Sequence, residues 1–242
     1  MKRAIIVGAS SGMGYEISKI LLNDGWTLGV AARRTDRLDE LTKNFPGKVI
    51  TKQIDVMKDD APELLKEFID ELQGIDLYFH VAGIGKQNPS LDAQIEKSTV
   101  ITNGLGFTQM IGAAYRYMAK HGGGHIAVIS SIAGTRGLGA APSYSATKAF
   151  QNTYIEALEQ LSMMRKLNIR FTDIRPGFVN TDLLNDSHRY PMLLNKEKAA
   201  RLIVNAVYAK KHVKVIDWKY QILTFFWKLI PHSLWRRLPI RN

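Results

Sequence analysis

Short strand-length runs alternate with amphipathic stretches along almost the whole chain. Residues 4–7, 27–32, 48–56, 75–81, 125–130, 169–174 and 213–216 read as strands, several of them nearly continuous in apolar side chains. Between them the period lengthens to that of a helix. Residues 15–22 put Ile17, Ile20 and Leu21 on one side, and residues 36–45 form a charged helix stopped by Pro46-Gly47. The run Asp59-Asp60-Ala61-Pro62-Glu63 opens another, with acids at the positive end of the dipole and Pro in the first turn. Further helices are predicted over 90–121, in two pieces because of Gly104 and Gly106, and over 143–164 and 196–210. Such alternation predicts an α/β fold, a single Rossmann-like doubly wound parallel sheet with helices on both faces. Neither a repeat nor a linker interrupts it, so residues 1–216 read as one domain and 217–242 as an appended tail.

A length of 242 residues suits one such domain. With 45% hydrophobic and 23% charged residues, disorder and a multispan membrane protein are poor descriptions. The absence of cysteine excludes disulfides, thiolate metal sites and a Cys nucleophile. His121 and His125 bracket three glycines, which supplies no helical ligand geometry, and HExxH does not occur; no metal site is expected. The first apolar run stops at Gly8, short of the roughly 7–15 residues of an export signal, so a cytoplasmic location is expected. The net charge of +11 is uneven. Residues 208–242 carry eight bases and one acid, 8 − 1 = +7, leaving +4 for the preceding 207 residues, and three of the four tryptophans lie in that tail. A uniformly basic nucleic-acid binder would look different, and no nucleic-acid motif is present.

Candidate chemistry begins at the turn after the first strand, Gly8-Ala9-Ser10-Ser11-Gly12-Met13-Gly14. Its GxxxGxG spacing alone fits either a tight turn or a phosphate cradle. Its place in a doubly wound fold favours the cradle, where backbone N–H groups and a helix dipole converge on a pyrophosphate. The second strand ends in Ala31-Ala32-Arg33-Arg34 with no carboxylate before Asp36. An acid there would accept from a ribose 2′-OH; its absence beside cations suits a 2′-phosphate, the alternative being two solvated arginines. Tyr144 and Lys148 lie four residues apart and so share one face of a helix, and a nearby cation can bring a phenol toward the neutral range. Ser131 follows the strand 125–130, at the end where ligands of such sheets bind.

With these residues in hand, the chain strongly resembles the short-chain dehydrogenase/reductase family from Ala4 to about Val215. The matching pieces are the glycine turn, Asp55-Val56, Ala82-Gly83, Asn103, Ser131, Tyr144, Lys148 and Pro176-Gly177-Phe178-Val179-Asn180-Thr181. The resemblance implies NADP(H)-dependent oxidoreduction of a small-molecule carbonyl or alcohol. In it Tyr144 would exchange a proton with the substrate oxygen and Ser131 would hold that oxygen. Lys148 would bind the nicotinamide ribose and lower the Tyr144 pKa, and Asn103 would hold a water linking Lys148 to solvent. Gly8, Ser10, Ser11, Gly12, Met13 and Gly14 would cradle the cofactor phosphates. Arg33 and Arg34 would meet the 2′-phosphate, Asp55 and Val56 would line the adenine pocket, Thr181 would contact the nicotinamide carboxamide, and Ala82, Gly83, Pro176, Gly177 and Val179 would also bind the cofactor. A homodimer or homotetramer built on the helices of Thr102 and Ser143 is also implied. Two positions depart from the family pattern: Val7 replaces a Thr, and His80-Val81 replaces Asn-Asn. His80 is expected to supply one of the lost hydrogen bonds.

Substrate selectivity is expected in residues 136–141, 85–88 and 182–194, the last an amphipathic lid. Its apolar residues favour a ketone, aldehyde or secondary alcohol with hydrophobic bulk, while Arg136 or His188 could take an acid group. The alternative to an enzyme is a dinucleotide-binding regulator or membrane-associated scaffold without turnover. Residues 218–230 are apolar nearly all round and too short for a span of about 20 residues. They fit either a helix at the inner face of an anionic membrane or one that covers a subunit or closes the substrate site.

Overall fold

The computed structural model describes residues 2–184 and 190–240. Its strands are β1 (Arg3–Val7), β2 (Thr27–Ala32), β3 (Val49–Gln53), β4 (Leu77–His80), β5 (Gly124–Ile129), β6 (Ile169–Arg175) and β7 (Val213–Val215). They form one all-parallel sheet in the order β3-β2-β1-β4-β5-β6-β7. Strand order reverses at β1, which opens a crevice at the carboxyl ends of β1 and β4. Val7 pairs with both Ala31 and His80, so the segments after β1, β2 and β4 leave the sheet side by side.

The helices are α1 (Gly12–Asn23), α2 (Asp39–Asn44), α3 (Ala61–Glu71), α4 (Ala93–Val100), α5 (Phe107–Lys120), α6 (Pro142–Met164), α7 (Lys196–Tyr208), α8 (Trp218–Leu229) and α9 (His232–Trp235). Neighbouring Ile5 and Ile6 point to opposite faces, as the two-residue strand period requires. Ile6 belongs to a core layer with Ile17, Leu21, Ile203 and Val207 of α1 and α7. Ile5 belongs to a core layer with Phe68, Phe107, Met110 and Ile155 of α3, α5 and α6. Burial on both faces explains why the central strands read as apolar runs.

Two departures from the sequence reading bear on the site. The strand expected over 48–56 ends at Gln53; Ile54 makes one more bond to the Ala32 carbonyl, and the Asp55 carboxylate then accepts from the Met57 N–H, bending the chain away. Residues 90–121 are not broken at their glycines. A π-helical segment, Ile101–Gly106, joins α4 to α5 without interruption. Gly106 serves close approach instead, since a Cβ there would stand 2.4 Å from the Val56 carbonyl oxygen. Among the described residues no helix is long and apolar enough to cross a membrane.

Candidate active site

The turn between β1 and α1 is shaped by contacts a side chain would forbid. Gly8 has φ +96°, and a Cβ on it would lie 2.5 Å from the Ala82 nitrogen; one on Gly14 would lie 2.1 Å from the Gly8 carbonyl oxygen. Ala82 is held there by its own N–H, which donates to the Val7 carbonyl at 2.8 Å. The first turn of α1 has neither a capping side chain nor an acid, so its N–H groups remain open to an anion. A cleft of about 280 Å³ follows, walled by Gly8, Ser10, Ser11, Gly12, Met13, Arg33, Arg34, Asp55, Val56, Ala82, Gly83 and Thr181. Gly14, Pro176, Gly177 and Val179 do not line it. Gly14, the third residue of α1, packs against the Gly8 carbonyl, and Val179 is core, paired with Leu194.

Three features of that wall fit a dinucleotide. Open α1 N–H groups face it, and Thr102 contributes a buried Oγ1 without a partner among the described residues. Arg33 and Arg34 are exposed at its end, and no carboxylate pairs with either among the described residues. Arg37 bridges to Asp182 at 3.1 Å, tying the segment after β2 to the one after Thr181.

Beyond the cleft, the fold gathers Ser131, Tyr144, Lys148 and Asn103. Ser131 caps a 3-10 turn, Ile132–Thr135, accepting from the Ala133 N–H at 3.0 Å and donating to the Pro176 carbonyl at 3.4 Å. Tyr144 stands in the first turns of α6 with its ring against Gly85, where a Cβ would come within 2.6 Å of it. Burial holds the Tyr144 phenol above its ordinary pKa, and a hydrogen bond with Ser131 pulls the other way. Lys148 is buried, and its pKa falls to about 8 because burial disfavours the ammonium; the charge of Asp173 partly offsets this. The expected depression of Tyr144 by Lys148 is therefore not seen. The Lys148 ammonium lies 5.8 Å from the Tyr144 ring centre and donates to the Ile129 carbonyl at 3.0 Å and to Gln151 Oε1 at 2.9 Å.

Asn103 projects from the π segment and grips the turn after β4 at a single residue, Ile84. Its Oδ1 accepts from the Ile84 N–H at 2.9 Å, and its Nδ2 donates to the Ile84 carbonyl at 2.6 Å. Its side chain is thus engaged with backbone, and the connection to Lys148 runs through Gln151, whose Nε2 donates to the Asn103 carbonyl at 2.9 Å. Gln151 was missed by the sequence reading, although its place three residues after Lys148 on the same helix face was available. Asp173 was missed too. It lies buried behind the cluster and accepts from Ser130 Oγ and from Arg175 Nε, the latter at 2.7 Å. Asn152, with its amide oriented to satisfy its neighbours, donates to Ser130 Oγ at 2.9 Å.

His80 pairs within its own strand, where Nδ1 meets the Tyr78 hydroxyl at 3.0 Å, and the Ala82 backbone also bonds to its imidazole. Residues 85–88 and 136–141 meet over Tyr144, the Asn88 N–H donating to the Ala140 carbonyl at 2.8 Å. Arg136 is not free to bind a substrate acid group. Its guanidinium donates to the carbonyls of Trp227, Lys228 and Ile230 at 3.2, 2.9 and 2.8 Å. Of the expected lid, residues 185–189, including His188, lie outside the described residues; Tyr190 packs on Phe178 with ring centres 4.8 Å apart.

A parallel sheet with a glycine-lined cleft at its switch point, and a Ser-Tyr-Lys cluster at the rim, defines a nucleotide-dependent oxidoreductase of doubly wound architecture. The family model described as short chain dehydrogenase matches residues 2–190, so the chain belongs to the short-chain dehydrogenase/reductase family, oxidoreductases that use a nicotinamide dinucleotide. An uncharacterized oxidoreductase of Myxococcus xanthus is 29% identical over 240 residues, covering 96% of this chain and 94% of its own. A short chain dehydrogenase/reductase of Burkholderia phymatum, solved in complex with NAD, superposes with TM-score 0.85 at 17% identity over 100% of this chain and 97% of its own. An alcohol dehydrogenase of Thermococcus sibiricus, complexed with 5-hydroxy-NADP, has TM-score 0.77 at 25% identity over 89% of this chain and 96% of its own.

Proposed function

We propose that this chain is an NADP(H)-dependent oxidoreductase acting on a ketone, aldehyde or secondary alcohol with hydrophobic bulk. The observation that carries the reading is the convergence of Ser131, Tyr144 and Lys148 beside the dinucleotide cleft. When bound, the nicotinamide gives or takes the hydride. Tyr144, kept as a phenol by burial, gives its proton to the carbonyl oxygen, which suits the reductive direction at neutral pH. Ser131 orients that oxygen as charge develops on it. Lys148 holds ribose hydroxyls, and Asn103 fixes the Gly83–Ile84 turn beside them. Arg33 and Arg34, without a carboxylate partner among the described residues, support the 2′-phosphate, and the Thermococcus sibiricus enzyme is a precedent for an NADP-type ligand, as the Burkholderia phymatum one is for NAD. Phe178 and the half-exposed Met192 and Leu193 support an apolar substrate. The same reading includes assembly into a homodimer or homotetramer through the elements carrying Thr102 and Ser143, where Val100, Leu105 and Phe150 are exposed.

The test is a screen of ketones and aldehydes with NADPH and NADH on the purified protein. Tyr144→Phe is expected to lower kcat by roughly 10³-fold with cofactor binding retained. In the same assay Arg33→Ala is expected to raise KM for NADPH about tenfold while leaving NADH nearly unchanged, the size of one charge-assisted contact. Equal loss with both cofactors would sink the NADP assignment. Binding of NADPH with no turnover across the panel would instead support a regulator or scaffold.

A further inference from the structure

The tail meets the domain with one face only. On the inner side of α8, Tyr220 and Thr224 are buried, and the Tyr220 hydroxyl accepts from the Phe178 N–H at 3.0 Å. Arg136 binds the carbonyls at the end of α8, and the Trp235 indole N–H of α9 donates to the Gly137 carbonyl at 2.8 Å. The outer side is ordered quite differently. At about 100° per residue, Phe225, Trp218, Leu229, Ile222 and Phe226 fall in that order within an arc roughly 100° wide. They are exposed by 60, 64, 63, 48 and 58%. Lys228 and Gln221 border the arc on one side and Lys219 on the other, by the same angular count. Next to it, α9 and the residues after it add exposed Leu234 and Leu238 with Arg236 and Arg237. No acid follows Asp217 in the chain, and Asp217 is engaged at the start of α8, accepting from the Lys219 N–H at 2.9 Å.

We propose that α8 and α9 form a docking surface for an anionic lipid bilayer, with α8 lying in the plane of the interface. Charge and geometry together select this occupant. If a second copy covered the face through a two-fold axis, the patch would meet itself, setting Lys219, Lys228, Arg236 and Arg237 against the same four cations with no carboxylate between. A bilayer with anionic headgroups removes that conflict. Phe225, Trp218, Leu229 and Ile222 enter the boundary of the acyl chains, while the lysines on both flanks extend outward to lipid phosphates. The concentration of +7 in residues 208–242 adds attraction toward the same leaflet. Because the inner face is anchored by Tyr220, Arg136 and Trp235, the helix presents its apolar arc without leaving the domain.

The proposal is tested by co-sedimentation of the full chain with phosphatidylcholine vesicles, with and without phosphatidylglycerol. Binding is expected on the anionic vesicles, weakening as salt screens the lysines, and far less on the neutral ones. Phe225→Ser/Phe226→Ser is expected to lower partitioning at least about tenfold with Tm unchanged, since both side chains are exposed. Lys219→Glu/Lys228→Glu is expected to do the same on anionic vesicles only. No partitioning at low salt, or equal partitioning on both lipid compositions, overturns the proposal. So does a phenylalanine variant whose mass by light scattering falls by half while vesicle binding is absent in both proteins, which identifies a second copy as the occupant. None of these readouts depends on turnover.

Discussion

Gln151 holds two of the site's residues at once. Its Oε1 takes a hydrogen bond from the Lys148 ammonium and its Nε2 gives one to the Asn103 carbonyl, all inside a buried helix face. The acceptor favours the charged form of a lysine that burial has already pulled to about pKa 8. Gln151→Leu is therefore expected to drop the Lys148 titration further and to lower kcat/KM about tenfold, the worth of one hydrogen bond to a charged group. The pH dependence of kcat/KM reads this directly, and Gln151→Glu, which restores the acceptor, should bring the inflection back up. An unmoved inflection in Gln151→Leu would mean that the side chain only fills space. Position in a motif did not reveal Gln151, because a glutamine becomes informative only once its two partners are known.

At the scale of elements, β4 and β5 each carry a histidine held neutral. His80 is pulled down to about pKa 3, first by burial and then by the charge of Lys148, and His125 to about 4, mainly by burial. In the unfolded chain both protonate near 6.5. The unfolded state therefore binds more protons as pH falls. The stabilisation is fully present above pH 6.5 and is lost as pH falls toward 4 for His125 and toward 3 for His80. Urea unfolding between pH 7 and 4.5 should show stability falling by up to about 1.4 kcal/mol per pH unit for each histidine. His80→Asn should reduce that slope by about one proton; an unchanged slope would refute the assignment to His80. The sequence marked position 80 as a departure, and its partner Tyr78 lies two residues back in the same strand, but the edge-on Phe107 ring, 5.2 Å away, is a tertiary fact.

On the scale of the whole molecule, the tail packs against the loops that follow β6. A Cβ on Gly177 would fall 2.2 Å from the Tyr220 ring, so this glycine admits α8 to the site rather than touching the cleft. The Tyr220 hydroxyl also reaches the Pro191 and Met192 carbonyls at 3.1 and 3.2 Å, linking α8 to the chain leading into α7. Tyr220→Ala is expected to cost roughly 3–5 kcal/mol in urea unfolding, the usual range for emptying a buried aromatic site. Tyr220→Phe should cost far less, since only its hydrogen bonds go. Equal stability of Tyr220→Ala and the parent would show that the tail is not anchored there. Ending the chain at Ile216 would uncover Gly177 and release Arg136, and so would confound any test of what lies outside the tail.

The sequence by itself determined the alternation of strand and helix, the parallel sheet and the glycine turn, while its resemblance to a family singled out Ser131, Tyr144 and Lys148. The first three are local matters of period or backbone freedom. Only the tertiary structure decided what Lys148 donates to, that Arg136 serves the tail, that Gly177 faces Tyr220, and that the glycines at 104 and 106 leave the helical path continuous. Those outcomes depend on which distant atoms reach one another and on how much water they exclude, and neither quantity is carried by neighbouring letters. The tail shows both levels together. Its apolar and basic residues were visible in the chain, but the side of α8 that faces outward was fixed by Tyr220, Arg136 and Trp235.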